Sequence, residues 1–361
     1  MAKLGMPTVV VKFIEAGIEA IQRSQRGIVA LILEDTKQVI DKLATKTNGH
    51  EVLPNPFLVY TVDDIPEELS DKNKDYILKA LKGYNKPPLK IVVYMMQQGG
   101  DKTGADRFQE PLKAMLTERF DYLAIPTIET AQLEYVATWV KTARENKFKK
   151  IKVVLPGSNA DYEGVINFGN TKVFTADREY KPAEYTARIA GLVAGTNMTQ
   201  SATYAPLAEV IDCDRHTQDE MDAMVNEGKF FIWYDGEKFK MSRAMNSLVT
   251  TSQGKLEGYQ TIKIVDIMDM IYDDIRKTAQ DSYIGKYTND YENKCLLISA
   301  ILGYFKQLEN ERLLQKDYST CEIDCEAVRT YQLSHGLFTK EELAKMSDDE
   351  VKKWILRKLY S

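Results

Sequence analysis

Apolar runs and amphipathic stretches alternate through the first half of the chain. Residues 28–33 form an apolar run, and residues 57–62 form a second after a polar excursion carrying Asn48-Gly49. A helical pattern over 70–81 stops at Gly83, and residues 89–95 make a nearly continuous apolar strand broken only by Lys90. A Gly-Gly turn leads to a helix around 105–119, a short strand at 122–125, an amphipathic helix over 130–145 and a strand at 151–155. In that helix Leu133, Val136, Ala137 and Val140 share one face. Strands that are apolar on both faces, alternating with amphipathic helices, predict a largely parallel sheet covered on both sides. The fold class expected is α/β: a mostly parallel sheet with flanking helices, plus a mixed α+β C-terminal domain.

The texture changes after Gly157. Short strands are predicted at 165–168 and 172–174. A helix starts near Pro182, carries Tyr185, Ile189, Leu192 and Val193 on its apolar face, and ends at Gly195. Residues 230–234 and 238–242, joined through Asp235-Gly236, read as a β-hairpin. Over 261–277 Ile264, Ile267, Met268, Ile271 and Ile275 are placed on one helical face, with Asp266, Asp269, Asp273, Asp274, Arg276 and Lys277 elsewhere. A second apolar helix follows over 294–314, and 339–359 is polar and helix-rich. The start of the chain is different: Thr8-Val-Val-Val-Lys-Phe13 is β-branched and extended, with no nearby hairpin partner. Such a strand must pair at a distance, within its domain or by adding to the sheet edge of another subunit.

At 361 residues the chain is long enough for two or three domains. The formal net charge of −5 weighs against a dedicated nucleic-acid binder. No apolar stretch reaches the roughly 18 residues a membrane span needs, and no secretory h-region follows Lys3. Cys213, Cys295, Cys321 and Cys325 make neither a zinc-ribbon pattern nor a disulfide framework, so isolated thiols in a reducing cytoplasm are expected.

The pattern offers little chemistry. A phosphate loop would need G-x-x-x-x-G-K-[ST] or G-x-G-x-x-G between strand and helix. Gly99-Gly100-Asp101-Lys102-Thr103 stands in the right place, but its glycine spacing is wrong and Asp101 puts negative charge where phosphate would sit. His50, His216 and His335 lie far apart, and no G-x-S-x-G elbow accompanies them. The carboxylates of the 261–277 helix would diverge toward water rather than converge on a metal, and are expected to form a solvated or partner-facing acidic surface. No catalytic residue, cofactor or metal site is expected.

Three blocks in order resemble contractile phage tail sheath proteins. They are Glu184-Tyr-Thr-Ala-Arg-Ile-Ala-Gly-Leu-Val-Ala-Gly-Thr-Asn-Met-Thr-Gln-Ser-Ala-Thr-Tyr204, Arg243-Ala-Met-Asn-Ser-Leu248, and the run from Ile262-Lys-Ile-Val-Asp-Ile-Met-Asp269 to Ile284-Gly-Lys-Tyr-Thr-Asn-Asp-Tyr-Glu-Asn-Lys-Cys295. The match is nearest to the short sheaths of Firmicutes prophages and of R-type tailocins such as diffocins. The resemblance implies a structural, non-enzymatic subunit that polymerises around an inner tube and contracts to drive it through a bacterial envelope. It implies an extended N-terminal arm in which Thr8, Val9, Val10, Val11, Lys12 and Phe13 add a strand to a neighbour. Each such main-chain hydrogen bond contributes only about 1 kcal/mol net, so strength comes from repetition.

The organisation implied is an arm and linker over 1–26, an α/β sheath domain over 27–180, an inner, tube-facing domain over 181–338 and a C-terminal extension over 339–361. The tube contact is expected on one of two helices, residues 265–277 or residues 293–314, which the sequence does not rank; on the first, Asp266, Asp269, Asp273, Arg276 and Lys277 are the candidate contacts. Partners would be further copies of the chain, the tube protein, and baseplate and terminator proteins, without nucleic acid or stable membrane association. Assembly would take place in the host cytoplasm. The sequence departs from similar sheaths at its end: Trp354-Ile-Leu356 begins a strand or continues the helix capped by Ser347-Asp-Asp-Glu350. The competing reading is a Rossmann-like enzyme with its pocket near 97–103 at the carboxyl ends of the strands.

Overall fold

The structure, a computed structural model, describes residues 20–48, 55–100, 104–288 and 290–353. Residues 8–13, His50, residues 101–103 and Trp354-Ile-Leu356 lie outside these. The chain divides into two compact units. The larger spans residues 24–273, and the smaller combines residues 1–23 with 274–361.

The larger unit begins with β1 (Ile28–Asp35) and α1 (Lys37–Asn48). Then come β2 (Phe57–Val59), α2 (Asp71–Leu81), β3 (Lys90–Gln97), α3 (Gln109–Met115), β4 (Tyr122–Ala124), α4 (Leu133–Glu145), β5 (Lys152–Pro156) and β6 (Val165–Phe168). After these follow β7 (Val173–Thr175), β8 (Glu179–Tyr180), α5 (Pro182–Ala194), β9 (Val210–Cys213), α6 (Gln218–Asn226), β10 (Lys229–Phe230), β11 (Ile232–Tyr234) and β12 (Phe239–Met241). The main sheet runs β10-β6-β5-β4-β1-β3-β2, parallel throughout except for β2 against β3. The expected mostly parallel sheet is therefore present. β7, β8 and β9 form a separate antiparallel sheet.

Alternation along β1 shows why both faces are closed. Val29, Leu31 and Leu33 enter one core, Ile28, Ala30 and Ile32 the other, and all are fully buried. The first core is shared with α2 and α5, the second with α3 and α4. The helix expected over 105–119 is a 3-10 turn, Gly104–Phe108, followed by α3. The expected hairpin exists as β11 against β12, with Ile232 opposite Met241. The first residue of the expected hairpin behaves differently: Phe230, with Lys229 before it, pairs in parallel with β6 and closes one edge of the main sheet.

α5 starts with Pro182 and ends at Gly195, as its sequence predicts. Glu184 accepts the Lys181 N–H at 3.1 Å. Gly191 permits its closest packing: a Cβ there would lie 2.0 Å from the Ala80 carbonyl oxygen of α2.

α7 (Ile262–Thr278) starts in the larger unit and ends in the smaller one, which also holds α8 (Tyr291–Asn310), α9 (Cys325–Ser334), α10 (Lys340–Lys345) and α11 (Asp348–Lys353). Asp290 caps α8 through the Asn293 N–H at 2.8 Å. In the smaller unit the Gln22 N–H donates to Thr278 Oγ1 at 3.0 Å, and the Tyr304 hydroxyl donates to Asp274 at 2.6 Å. Arg329 gathers the last three helices by donating to the Leu343 and Met346 carbonyls and the Asp348 carboxylate. Ser347 and Glu350 cap α11 reciprocally, as the sequence predicts.

Candidate functional site: a buried ion network under the sheet

A buried charged constellation of the larger unit lies at the amino-terminal ends of β1, β4 and β5. α7 brings Asp266, Asp269 and Asp273 to it. Arg144 of α4 grips Asp269 in a fork, each nitrogen 2.9 Å from a carboxylate oxygen. The Lys152 ammonium, the first side chain of β5, lies 2.6 Å from Asp269 and 2.9 Å from Asp266. The Tyr122 hydroxyl of β4 donates to Asp266 at 2.5 Å. Arg26 joins Asp121 at 2.8 Å and Asp273 at 2.7 Å, and Asp121 in turn accepts the Ile28 N–H at 2.9 Å.

Burial and countercharge compete at each carboxylate. At Asp269 burial pushes the pKa up, but Lys152 and Arg144 outweigh it and hold the group below the usual carboxylate range. At Asp266 burial wins over Lys152 and Tyr122 and raises the pKa; at Asp273 it wins over Arg26. Burial alone would lower the Lys152 pKa, yet Asp266 and Asp269 raise it, so the ammonium stays charged. These groups pair with one another, with Arg26 Nε left as a buried nitrogen without a hydrogen-bond partner. A small cavity of about 60 Å³ touches Arg26, Asp121, Tyr122 and Asp266, but the pairing of the charges with one another is what fastens α7 to the sheet.

This corrects the expected solvated acidic face. Asp269 is 3% exposed, and only 16% of the Asp266 side chain is accessible. Asp273 is half-buried against Arg26, and Asp274 is fully buried in the smaller unit. The expected apolar stripe is also rotated: Ile262, Val265, Ile267 and Met270 are buried, while Ile264 is 41% exposed. The cause is long-range. Arg26, Arg144 and Lys152 supply countercharges from distant parts of the chain, so the carboxylates are the side that faces inward. Of the five expected tube contacts, Arg276 and Lys277 are exposed. Sequence reasoning missed Arg26, Asp121, Tyr122, Arg144 and Lys152. The one available signal was Lys152, a lone cation in an otherwise apolar strand.

At the opposite, carboxyl ends of the strands a cleft of about 650 Å³ is lined by Glu34, Gln97, Gly99, Arg107, Glu110 and Glu129 among others. Arg107 is engaged by Glu34, which also accepts the Thr127 hydroxyl at 2.6 Å. Among the described residues the remaining lining charge is acidic, from Glu110 and Glu129, which disfavours a nucleotide phosphate. His216 lies edge-on to Phe231 and His335 stacks on Tyr331. Among the described residues, no group of three or more His, Cys, Asp or Glu side chains could hold a metal ion, and no helix is long and apolar enough to cross a membrane.

Comparison with known proteins decides what this frame is. Residues 101–247 match the phage tail sheath protein central domain, and residues 255–342 the phage tail sheath C-terminal domain. The tail sheath protein of Clostridium phage phiCD119 is 32% identical over 353 residues, covering 96% of this chain and 91% of that protein. The chain belongs to the phage tail sheath family. Its fold is that of solved sheath proteins. The sheath tail protein of Desulfitobacterium hafniense superposes with a TM-score of 0.68 at 19% identity, covering 84% of this chain and 89% of that one. The helical sheath of the anti-feeding prophage, in its contracted state, gives 0.61 at 12% identity, covering 86% and 85%. Within this sheath protein, the family-like block at 184–204 acquires a physical meaning: it carries the Gly191 contact with α2 and the buried Arg188 that donates to Glu209 and to the Gly83 carbonyl.

Proposed function

We propose that the chain is a non-enzymatic structural subunit that polymerises as stacked rings around an inner tail tube and contracts to drive the tube through a bacterial envelope. The observation that carries this is similarity to a phage tail sheath protein along 96% of the chain. A core that spends its buried charge on fastening a helix supports it. No nucleotide is consumed; the work comes from the difference between two lattices of packed subunits. The partners are further copies of the chain, the tube protein, and baseplate and terminator proteins, with neither nucleic acid nor a membrane holding the subunit. Assembly takes place in the host cytoplasm.

Residues 8–13 are proposed as the inter-subunit arm, because the β-branched run suits strand addition to a sheet edge. Deleting residues 1–14 should leave a folded subunit by circular dichroism that forms no sheath in electron micrographs; normal assembly would refute the arm. Residues 181–338 are proposed to carry the tube-facing surface. Within α7 the tube contact is proposed at Arg276 and Lys277, a reading supported by their exposure. Arg276→Glu with Lys277→Glu should reduce co-sedimentation of sheath with tube, and unchanged co-sedimentation would remove this contact.

A further inference from the structure

Two features of the larger unit stand at opposite ends of its main sheet. At the amino-terminal end, the turn from α4 to β5 carries Lys147-Phe-Lys-Lys150. The Asn146 and Lys147 N–H groups donate to the Thr142 carbonyl at 2.9 and 3.3 Å, and the Lys149 N–H donates to the Ala143 carbonyl at 2.9 Å. Phe148 takes a φ of 55°, a left-handed conformation that bulky side chains rarely adopt. It is 53% exposed, and Lys147 beside it is exposed. The next two lysines are half-buried: Lys149 Nζ donates to the Glu118 carbonyl at 2.9 Å, and Lys150 Nζ stands 4.6 Å from the Tyr272 ring centroid. An aromatic residue held outward by a strained backbone, in a cationic setting, is placed for something other than the core of its own unit.

At the carboxyl-terminal end lies the cleft of about 650 Å³. Tyr94, Met96 and Pro111 supply apolar wall, and the exposed Glu110 and Glu129 supply negative charge. Its contents match the turn: apolar wall for a ring, and carboxylates for lysine. Aromatic anchors seated in pockets carry much of the binding energy of protein interfaces, and complementary charge sets their orientation.

The two features are kept apart within one chain. β1, β3, β4 and β5 run parallel, so the turn before β5 and the loops after β1, β3 and β4 lie at opposite ends of one compact unit. A second copy can join them. Each copy then offers its turn to one neighbour and its cleft to another. Such a head-to-tail contact builds rings or open helical filaments.

We propose that Phe148 and Lys147 of one copy seat in the cleft between Tyr94, Pro111 and Glu129 of the next. The proposal rests on the self-assembly proposed above and names one contact within it.

The full chain tests this in two ways. Glycine suits a φ of 55°, so Phe148→Gly removes the ring without straining the turn. The variant should stay folded by circular dichroism while sedimentable sheath drops at least tenfold. Glu110→Lys with Glu129→Lys should give the same loss from the cleft side. Normal assembly of either variant, where the wild type forms tubes, would overturn the contact and leave the polymer reading standing. A wild type that forms no polymer would refute that reading, and cross-linking of the concentrated chain then decides the contact. With Cys295→Ser, Cys321→Ser and Cys325→Ser in place, Phe148→Cys is combined with Gln97→Cys in the cleft or with Asp222→Cys on the exposed α6. Under mild oxidation, links between chains joining positions 148 and 97 should form at least tenfold faster than links joining 148 and 222. Equal rates would overturn the contact in any preparation.

Discussion

α5 and α8 are both rich in Ala, Leu, Ile and Tyr, yet one is immersed and the other is half bare. Every residue of α5 from Glu184 to Ala194 is buried, whereas in α8 only Ala300, Ile301, Tyr304, Leu308 and Glu309 are. The difference is in what surrounds them. α5 lies on a seven-stranded sheet, with a glycine set to let α2 approach and with Arg188 and Glu209 satisfying each other. α8 belongs to a smaller unit whose helices are held by caps and by single residues such as Arg329. Apolar content alone therefore does not mark a core helix. Coverage by the rest of the chain does.

The comparison is most severely tested in the larger unit. Asp269→Ala removes the carboxylate shared by Arg144 and Lys152 and leaves two buried cations short of a partner. Breaking such a pair costs about 3–5 kcal/mol, and denaturant unfolding should show a loss of that order. Gly191→Ala forces a Cβ into the Ala80 carbonyl, so α2 and α5 must separate. Overpacking of this kind costs about 1–3 kcal/mol, and a change in stability near zero would refute the close approach.

Acid should weaken the same unit. At Glu209 burial pushes the pKa up, but Arg188 and Lys82 prevail and bring it down to about 2. The unfolded carboxyl titrates near about 4.3. Because the folded value is the lower one, this stabilisation is complete above the unfolded value and is lost as pH falls through the window toward about 2. Melting temperature should therefore drop across that window, with a shallower drop in Glu209→Gln. The smallest effect is expected on α8. Leu302 is 37% exposed, so Leu302→Ala should change stability by about 0.5 kcal/mol or less.

The parallel sheet was legible because period-two burial on both faces writes continuous apolar runs such as residues 28–33 and 89–95. The caps of α5 and α11 were legible because Pro182, Gly195, Ser347 and Glu350 act within a few residues of themselves. The orientation of α7 was not. Its carboxylates look like a solvated face until Arg26, Arg144 and Lys152 are brought to them from other strands and helices, and no local window contains that information. The split of residues 229–234 between two sheets was hidden for the same reason, since β6 is the partner that claims Lys229 and Phe230. The expected arm at 8–13 lies outside the described residues, and its role rests on its composition and on the resemblance that singled it out.

Negative-stain electron microscopy of the purified full chain, alone and co-expressed with a tail tube protein, tests the central claim most directly. The account predicts rings or tubes of regularly stacked subunits. A chain that stays as dispersed single subunits in both preparations, while remaining folded by circular dichroism, would contradict it.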